Sequence, residues 1–353
     1  MNDNKLKSNK ISKTTANQLQ TSFFNLETLS EWSQRELTLH FQDIMFHFIL
    51  SFSSQNTRRS YLNDLKEFYL FISEKNVSLI SDIDDTLLIL WQKFLYNREN
   101  LSQKSIRRKL IVLSSVFVFC IKRKLISKNP MDLIHKPKLT FESKTNAFTI
   151  DEVKEILKYL ENKCLIHTTI NINSREFKSN LLTYTVISTL LSVGMRVNEL
   201  CQLKLKDIER NAEFTRLHLK VKGNEEHSPI IHPKTAQIIN NYINQCRANA
   251  KETEYVFIRS QDVVKTTKLS QVAIYKMLKS VTIELGIQKK ISPHSCRATL
   301  ATILHNQGTP LGQIQALLNH KEIATTSIYV KKASELDEAA ALKLNLDKFN
   351  PVK

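Results

Sequence analysis

Apolar residues recur at helical spacing through the first half of the chain. Tyr61, Leu65 and Phe68 fall on one face of a helical segment. A second helical segment begins near Ser102 and repeats the pattern. Its apolar positions are Ile106, Leu110, Leu113 and Val116. Neither Gly nor Pro occurs between residues 31 and 129, so this part of the chain is predicted to form a compact helical domain.

Helix signals continue in the second half, where all five glycines lie. Thr149 and Glu152 form a capping box ahead of an apolar-periodic segment. Another helix is predicted from about Asn180 to Ser192, and Gly194 turns the chain into a third. Ser292-Pro293 has the N-cap and first-turn residues of a further helix.

A period of two appears between these helices. Residues Leu217 to Lys222 alternate apolar and polar, a turn is predicted at Gly223-Asn224, and Ser228 to Ile231 supplies a returning strand. The pattern predicts a small antiparallel sheet. The expected fold class is therefore mainly α with two domains, of which the second is mixed α+β.

The charge balance favours an anionic partner. The chain has 51 Lys and Arg against 34 Asp and Glu, a formal net charge of +17 and a pI of about 9.6. Such a chain suits phosphate neutralisation on DNA, although charge alone also fits RNA or anionic membranes. It has no apolar run of membrane-spanning length and no signal peptide, so we expect a soluble cytoplasmic protein without a membrane partner.

The five cysteines do not indicate a metal or redox site. They are widely spaced and form no C-x-x-C pair, so reduced core residues are expected and no metal is predicted. Cys296 lies between His294 and Arg297, which are candidate site residues described below, so a reactive thiol is the alternative for this cysteine.

Six polar residues of the second half supply the groups needed to break and rejoin a phosphodiester without a metal. They provide two guanidinium groups, an amine, two imidazoles and a phenol. The six are Arg196, Lys222, His294, Arg297, His320 and Tyr329. Each is weak evidence alone, since an isolated Arg is usually a surface charge and an isolated Tyr usually packs; the combination is specific.

The order, spacing and flanking residues of this set resemble the tyrosine recombinase family, which includes the phage-integrase and Xer-type enzymes. The resemblance extends over about residues 31–346. It implies site-specific recombination of double-stranded DNA through a 3′-phosphotyrosyl intermediate, in integration, excision or dimer resolution. It also implies a tetramer on paired sites, no cofactor, and a location at the bacterial nucleoid.

The resemblance assigns a role to each candidate. Tyr329 is the nucleophile, Arg196 and Arg297 hold the phosphate, and Lys222 protonates the leaving 5′ oxygen. Alternation alone cannot choose between Lys222 and Lys220, which share a face; the position before a turn glycine favours Lys222.

The two histidines complete the set. By the same resemblance, His294 assists proton transfer from the tyrosine and His320 donates a hydrogen bond to the phosphate. His294 and Arg297 lie one turn apart near the positive end of their predicted helix, where phosphate is favoured. Three other histidines are predicted to serve solvent or local hydrogen bonds. They are His218, His227 and His232.

The resemblance also divides the chain. A flexible tail (1–30) precedes a helical-bundle, SAM-like core-binding domain (31–138), a linker (139–146) and the catalytic domain (147–348). A helix at about 334–346 is expected to dock on a neighbouring subunit, with packing on its own domain as the alternative. The core-binding domain is expected to contact DNA phosphates through basic residues. These are Arg58, Arg59, Lys104, Arg107, Arg108 and Lys109.

Two alternatives and three departures from the family pattern accompany this interpretation. A type IB topoisomerase shares the chemistry but exchanges no partners, and a catalytically silent DNA-binding relative is disfavoured by the complete set. Asn319 stands where a glycine usually precedes the histidine, and Val221 where a glycine often precedes the lysine. Lys331 replaces a common histidine after the tyrosine. The target sequence and the biological role are not readable from the chain.

Overall fold

The structure is a computed structural model that describes most of the chain. The described residues are 36–138, 145–166 with side chains, 167–170 as backbone, 174–221, 226–259, 267–322 and 327. Several predicted features lie outside them. These are the tail 1–30, most of the linker 139–146, the turn Gly223-Asn224, Lys222, Tyr329 and the helix at 334–346.

The chain divides into two compact units, Met1–Thr140 and Phe141–Lys353. The described part of the first unit is helical, with short 3-10 turns at Ile80–Asp82 and Pro130–Leu133. Its helices are α1 (Phe41–Leu50), α2 (Gln55–Ser73), α3 (Asp85–Tyr96) and α4 (Gln103–Lys122). The predicted helical bundle is therefore confirmed for this unit.

Side-chain caps define where three of these helices begin. Ser54, Asp84 and Ser102 each accept a hydrogen bond from the backbone amide three residues further on. Each cap satisfies one amide that the first helical turn leaves without a partner. The predicted start of α4 at Ser102 is confirmed.

Aromatic side chains form the centre of the first unit. Trp91 of α3 is 1% exposed, and its ring lies 5.4 Å from that of Phe68 and 5.1 Å from that of Phe71, both on α2. Phe41 of α1 packs edge-on against Phe68. Burying each such ring stabilises the fold by about 1.5–3 kcal/mol, so the predicted apolar face of α2 holds the bundle together.

The second unit combines helices with two small antiparallel sheets, which confirms the predicted mixed class. Its helices are α5 (Ile150–Ile170), α6 (Arg175–Val193), α7 (Val197–Gln202), α8 (Pro233–Cys246), α9 (Gln271–Glu284), α10 (Pro293–Asn306) and α11 (Leu311–Leu318). Its strands are β1 (Ile208–Arg210), β2 (Thr215–Leu217), β3 (Leu219–Lys220), β4 (Glu226–His227) and β5 (Ile230–Ile231). A 3-10 turn spans Leu205–Asp207.

The predicted hairpin is split between the two sheets. One sheet has the order β1-β2-β5 and the other pairs β3 with β4. The break falls between Leu217 and Leu219, opposite Pro229, which has no amide to donate, although its carbonyl accepts from the Leu217 amide (3.1 Å). The predicted alternation nevertheless holds, because Leu217 and Leu219 are buried while Lys220 is exposed.

Helix α6 is the central element of the second unit and packs against α5, α8 and α10. Leu181, Ile187 and Leu190 are at most 1% exposed. The helix ends at Gly194 in the left-handed conformation (φ +66°), which a glycine adopts without steric cost. This turn places Arg196 at the start of α7. None of the helices in the described ranges has both the length and the apolar content needed to cross a bilayer.

Candidate active site

Arg297 connects three segments of the second unit. It lies in the second turn of α10, and its side chain is only 2% exposed. Its Nη1 donates to the Gly194 carbonyl (2.7 Å), its Nη2 to the Leu318 carbonyl, and its Nε to His320 Nε2 (3.2 Å). These three acceptors are uncharged. The guanidinium is thus fixed in place while its positive charge persists.

His320 follows the C-terminus of α11, after a left-handed turn. Asn319 has φ +48° and ψ +56°, and the His320 amide donates to the Gln315 carbonyl (3.1 Å). Asn tolerates this conformation better than most non-glycine residues. The departure from the family's glycine is therefore compatible with the turn that places His320.

Burial and neighbouring cations keep His320 neutral. Burial, and to a smaller extent repulsion from Arg297, Arg196 and His294, lower the pKa of its imidazole from 6.5 to about 4. The neutral ring accepts from Arg297 at Nε2, so its proton lies on Nδ1. Any hydrogen bond that the neutral ring donates comes from Nδ1.

Arg196 is held by a buried carboxylate. It is the N-cap residue of α7, and Glu199 accepts from both its amide (2.6 Å) and its Nη1 (2.8 Å). Its Nη2 donates to the Asn319 carbonyl (2.9 Å). Glu199 is 5% exposed whereas Arg196 is 41% exposed, so the carboxylate orients a guanidinium that solvent or a ligand can reach.

The structure brings four of the six predicted residues together. Arg196, Arg297 and His294 all lie close enough to His320 to alter its pKa, and His294 is exposed in the first turn of α10. The first turn of a helix also presents amides and a partial positive charge to an anion. The other two residues, Lys222 and Tyr329, lie outside the described residues, and Lys220 is exposed at the end of β3.

Two of the three remaining histidines have the predicted local roles. The His218 ring contacts Glu209 (2.9 Å) and Ser228 (3.1 Å), which lie on or beside the same sheets. The ring of His232 accepts from the Lys234 amide (3.1 Å) at the start of α8. Both rings therefore stabilise their own surroundings.

His227 has a different place from the one predicted. The ring is half-buried and lies near the Ala316 carbonyl of α11. Burial lowers its pKa and Arg297 and Arg196 do so further, while Glu199 and the carbonyl act in the opposite direction. His227 thus borders the candidate site. Strand alternation gave no sign of this, because Ala316 lies in a helix 89 residues later in the chain.

Cys296 is excluded as a reactive thiol. It is 0% exposed, and burial raises its pKa to about 12. All five cysteines are free. Within the described ranges, no group of three or more His, Cys, Asp or Glu side chains is arranged to hold a metal ion.

Four of the predicted DNA-contacting residues bind their own unit, and Arg58 and Arg107 do so through backbone carbonyls. Arg58 donates to the Phe52 (2.5 Å) and Leu50 (3.2 Å) carbonyls and so closes the end of α1. Arg107 donates to the Pro137 carbonyl (2.7 Å). Each keeps a part-exposed side chain, so phosphate contact stays a prediction for both.

Lys109 requires a correction. It is 9% exposed, and its ammonium contacts Asp64 (3.1 Å) and Glu67 (2.5 Å) between α2 and α4. The helical pattern placed Lys109 on the basic face of α4 but could not show that two carboxylates of α2 pack against it. Lys109 is therefore a buried, paired cation and not a DNA contact. Arg108 also pairs with Asp64, but remains half-exposed.

Arg59 and Lys104 are exposed, and among the residues that the structure describes neither side chain forms an ion pair or hydrogen bond. Their side chains are therefore the members of the predicted basic set that are most accessible to phosphate.

Comparison with known families identifies the family of the chain. The model of the Phage integrase family matches residues 146–335, and that of the Phage integrase N-terminal SAM-like domain matches residues 49–124. The chain belongs to the phage integrase family. The two matches fall in the second and first units respectively.

Curated relatives carry tyrosine recombinase names. The tyrosine recombinase XerD of Staphylococcus haemolyticus is 28% identical over 279 residues, which cover 78% of this chain and 88% of the relative. A tyrosine recombinase of Pseudothermotoga lettingae is 27% identical over 293 residues, with coverage of 82% and 92%.

Solved structures share the fold at lower identity. The XerH site-specific recombinase bound to its difH substrate in a pre-cleavage complex aligns with a TM-score of 0.63 and 18% identity, covering 96% of this chain and 91% of that one. A lambda integrase dimer bound to a COC′ core site aligns with a TM-score of 0.60 and 16% identity, covering 90% and 85%.

Proposed function

We propose that this protein is a site-specific DNA recombinase, an enzyme that cuts DNA strands and rejoins them to new partners. The observation that carries the proposal is the meeting of Arg196, Arg297 and His320 at the ends of α6, α7, α10 and α11. Two fixed guanidinium groups beside a neutral imidazole match the charge and hydrogen-bonding needs of one phosphodiester.

The site is better suited to the transition state than to the resting diester. A pentavalent phosphorus carries more negative charge on its non-bridging oxygens than the diester does. Arg196 and Arg297 are already oriented by Glu199 and by backbone carbonyls, so they need no reorganisation when that charge develops. The neutral His320 ring adds a hydrogen bond from Nδ1 to the phosphate and does not repel the two guanidinium groups.

The proposed reaction conserves the phosphodiester energy. The Tyr329 oxygen attacks phosphorus, the bond to the 5′ oxygen breaks, and a 3′-phosphotyrosyl link forms. His294 accepts the tyrosine proton and Lys222 gives a proton to the leaving oxygen. A 5′ hydroxyl from a second strand reverses these steps. No metal or nucleotide takes part in this scheme.

The partners follow from the same proposal. Double-stranded DNA is the substrate, held by the core-binding domain (31–138) and the catalytic domain (147–348), which residues 139–146 join. We further propose a tetramer on paired sites, with the segment 334–346 docking on a neighbouring subunit, and a location at the nucleoid. The XerD name of the relatives and the DNA-bound relatives of the same fold support recombination.

Covalent capture tests the proposal directly. A nicked suicide duplex should give a denaturation-resistant protein-DNA band with the parent protein and none with Tyr329→Phe, because only the nucleophilic oxygen is lost. The matched control is Tyr275→Phe, which alters an exposed tyrosine of α9 and should leave the band unchanged. A band that persists in Tyr329→Phe would move the nucleophile elsewhere.

A plasmid assay separates recombination from DNA relaxation. A recombinase should exchange strands between two cognate sites and leave a plasmid without sites supercoiled. Relaxation at any sequence without exchange would instead identify a type IB topoisomerase activity. The cognate site is sought in the DNA that flanks the coding sequence.

A further inference from the structure

The turn that follows α11 is held by three side chains. Each carbonyl of residues 318–321 accepts a hydrogen bond from one of them. Arg297 binds the first carbonyl and Arg196 the second (2.9 Å), whereas the side-chain amide of Gln315 binds the third (2.9 Å) and, more weakly, the fourth (3.4 Å). Gln315 carries no charge and has no role in the proposed chemistry. It therefore supports the turn independently of the phosphate.

Gln315 holds the backbone of His320 on both sides. Helix α11 ends in a Schellman motif, in which the His320 amide donates to the Gln315 carbonyl and the Asn319 amide to the Ala316 carbonyl (3.1 Å each). The Gln315 side chain then donates to the His320 carbonyl (2.9 Å). Because both peptide groups of His320 are bound, its backbone dihedral angles are fixed, and with them the direction in which the imidazole leaves the chain.

The amide of Gln315 is not needed for the helix itself. Ile314 and Leu318 are both 0% exposed and pack α11 onto α10. Gln315 lies beside this apolar face and is half-buried. Methionine has a similar length and a similar helix propensity, so neither packing nor propensity requires an amide at this position. What the amide adds is its hydrogen bonds to the turn.

The orientation of the His320 ring depends on this support. The residue is 8% exposed, and Arg297 Nε donates to its Nε2 at 3.2 Å, the long end of the usual range. A bond of this length restrains one ring atom only. The direction of the Nδ1 proton therefore depends on where the backbone places the ring.

We propose that Gln315 is a positioning residue, which fixes the backbone of His320 so that the imidazole binds Arg297 at one nitrogen and presents the other nitrogen to the phosphate. This inference deepens the proposed recombinase function and rests on it. Donors that are oriented in advance stabilise a transition state because they need no reorganisation when charge develops. A misplacement of about 1 Å from a change outside the reacting groups can slow a reaction roughly 100-fold.

Replacement of the amide by a thioether tests this role. Gln315→Met keeps the length of the side chain and removes the donor, so covalent complex formation on suicide DNA should slow roughly 10- to 100-fold. The matched control is Gln313→Met at an exposed position of the same helix, which should react at the parental rate. Urea denaturation of each variant sets the conditions under which all are folded, and Gln315→Ala replaces Gln315→Met if the latter does not fold.

A double-mutant cycle distinguishes positioning from a general loss of structure. A residue that acts through His320 has nothing left to position once the imidazole is removed. Gln315→Met should therefore slow the reaction of His320→Ala by less than about twofold, although it slows that of the parent protein by about tenfold or more.

Titration of the imidazole gives a readout that needs no DNA. Burial, together with repulsion from Arg297, Arg196 and His294, holds the pKa of His320 at about 4. A loosened turn lets water reach the ring, so in Gln315→Met this pKa should rise toward the ordinary value of about 6.5, and in the control variant it should not. Nuclear magnetic resonance of protein with isotope-labelled histidine measures the titration, and His320→Ala identifies the signal.

The possible outcomes bear on different conclusions. A parental rate in folded Gln315→Met overturns the inference, and so does equal slowing by this substitution in the parent and in His320→Ala. An unchanged pKa of His320 in Gln315→Met overturns it as well. If the parent protein gives no covalent complex, the proposed function is wrong, and the titration alone then decides whether Gln315 holds His320.

Discussion

Replacement of Gly194 by alanine should perturb the candidate site through its backbone. Gly194 ends α6 at φ +66°, and its carbonyl accepts from Arg297 (2.7 Å). A Cβ at this position would lie 2.7 Å from Leu318 Cδ2 and 2.8 Å from Leu300 Cδ2. Real Cβ atoms do not approach carbon so closely, so the side chains of Leu318, which is fully buried, and Leu300 must move.

Two contributions set the expected loss of stability. The left-handed conformation costs an L-residue about 1–2 kcal/mol, of which the smaller entropy of the unfolded alanine chain offsets about 0.4–1 kcal/mol. Overpacking of a buried site adds about 1–3 kcal/mol. Gly194→Ala should therefore lower the free energy of unfolding by about 2–4 kcal/mol.

Gly286 offers a matched control for the conformational contribution. It has the same φ of +66°, but a Cβ there would meet no atom within 4 Å. Gly286→Ala should cost only about 1 kcal/mol, and the difference between the variants isolates the packing contribution. Urea denaturation of both variants measures it. Equal losses in the two variants would refute the steric argument.

Gly194→Ala should reduce the rate of covalent complex formation by a larger factor than it reduces the fraction of folded protein. Leu318 contacts the new methyl group with its side chain and accepts from Arg297 through its carbonyl. Movement of Leu318 displaces the carbonyl that holds the Arg297 guanidinium. We therefore expect covalent complex formation to slow by more than about tenfold at a temperature where the variant is folded. Gly286→Ala should react at the parental rate. Parental activity in folded Gly194→Ala would show that the turn tolerates movement.

Three further predictions concern stability, orientation and DNA affinity. The pKa of His320 is about 4 in the folded protein and near 6.5 in the unfolded chain, so the unfolded chain binds more protons between these two values. The free energy of unfolding should therefore fall as the pH drops through this window, by about 2 kcal/mol at pH 5 relative to neutral pH. Urea titrations should find this contribution absent from His320→Gln. Glu199→Gln should slow formation of the covalent complex about 10- to 100-fold, because the Arg196 guanidinium loses the carboxylate that orients it. Gel assays of the covalent complex at matched folded fractions measure this rate. A parental rate would contradict the prediction. Lys109→Met should destabilise the first unit by about 3–5 kcal/mol, because two carboxylates lose their buried cation. Arg59→Ala should change the free energy of unfolding by no more than about 0.5 kcal/mol and should reduce the salt dependence of DNA binding in gel-shift titrations. A large loss of stability in Arg59→Ala, or a changed salt dependence in Lys109→Met, would contradict the assigned roles.

Local signals were sufficient to predict much of this fold. The Ser102 cap, the Thr149 and Glu152 capping box, and the Ser292-Pro293 helix start all appear where the sequence indicates. Each of these depends on residues within one helical turn of each other. The apolar spacing of α2 likewise predicts the face that packs on the aromatic core, because a helix repeats its facing positions every three or four residues.

Long-range partners could not be predicted in the same way. The basic pattern of α4 gives Lys109 a charge, but its carboxylate partners lie 42 and 45 residues away on α2. The proximity of His227 to Ala316, 89 residues later in the chain, is equally nonlocal. Periodicity specifies which face a residue occupies, but not which group meets it there.

The positions of the candidate arginines depend on helix termini as much as on the arginines themselves. The carbonyls of Gly194, Leu318 and Asn319 accept from the two guanidinium groups, and all three lie at the C-terminal ends of α6 and α11. Carbonyls at such ends have no partner within the helix and carry partial negative charge, so they attract cations. The left-handed residues Gly194 and Asn319 turn the chain at these ends. It follows that Asn319, although it replaces the family's glycine, preserves the site because its conformation and its carbonyl matter there more than its side chain.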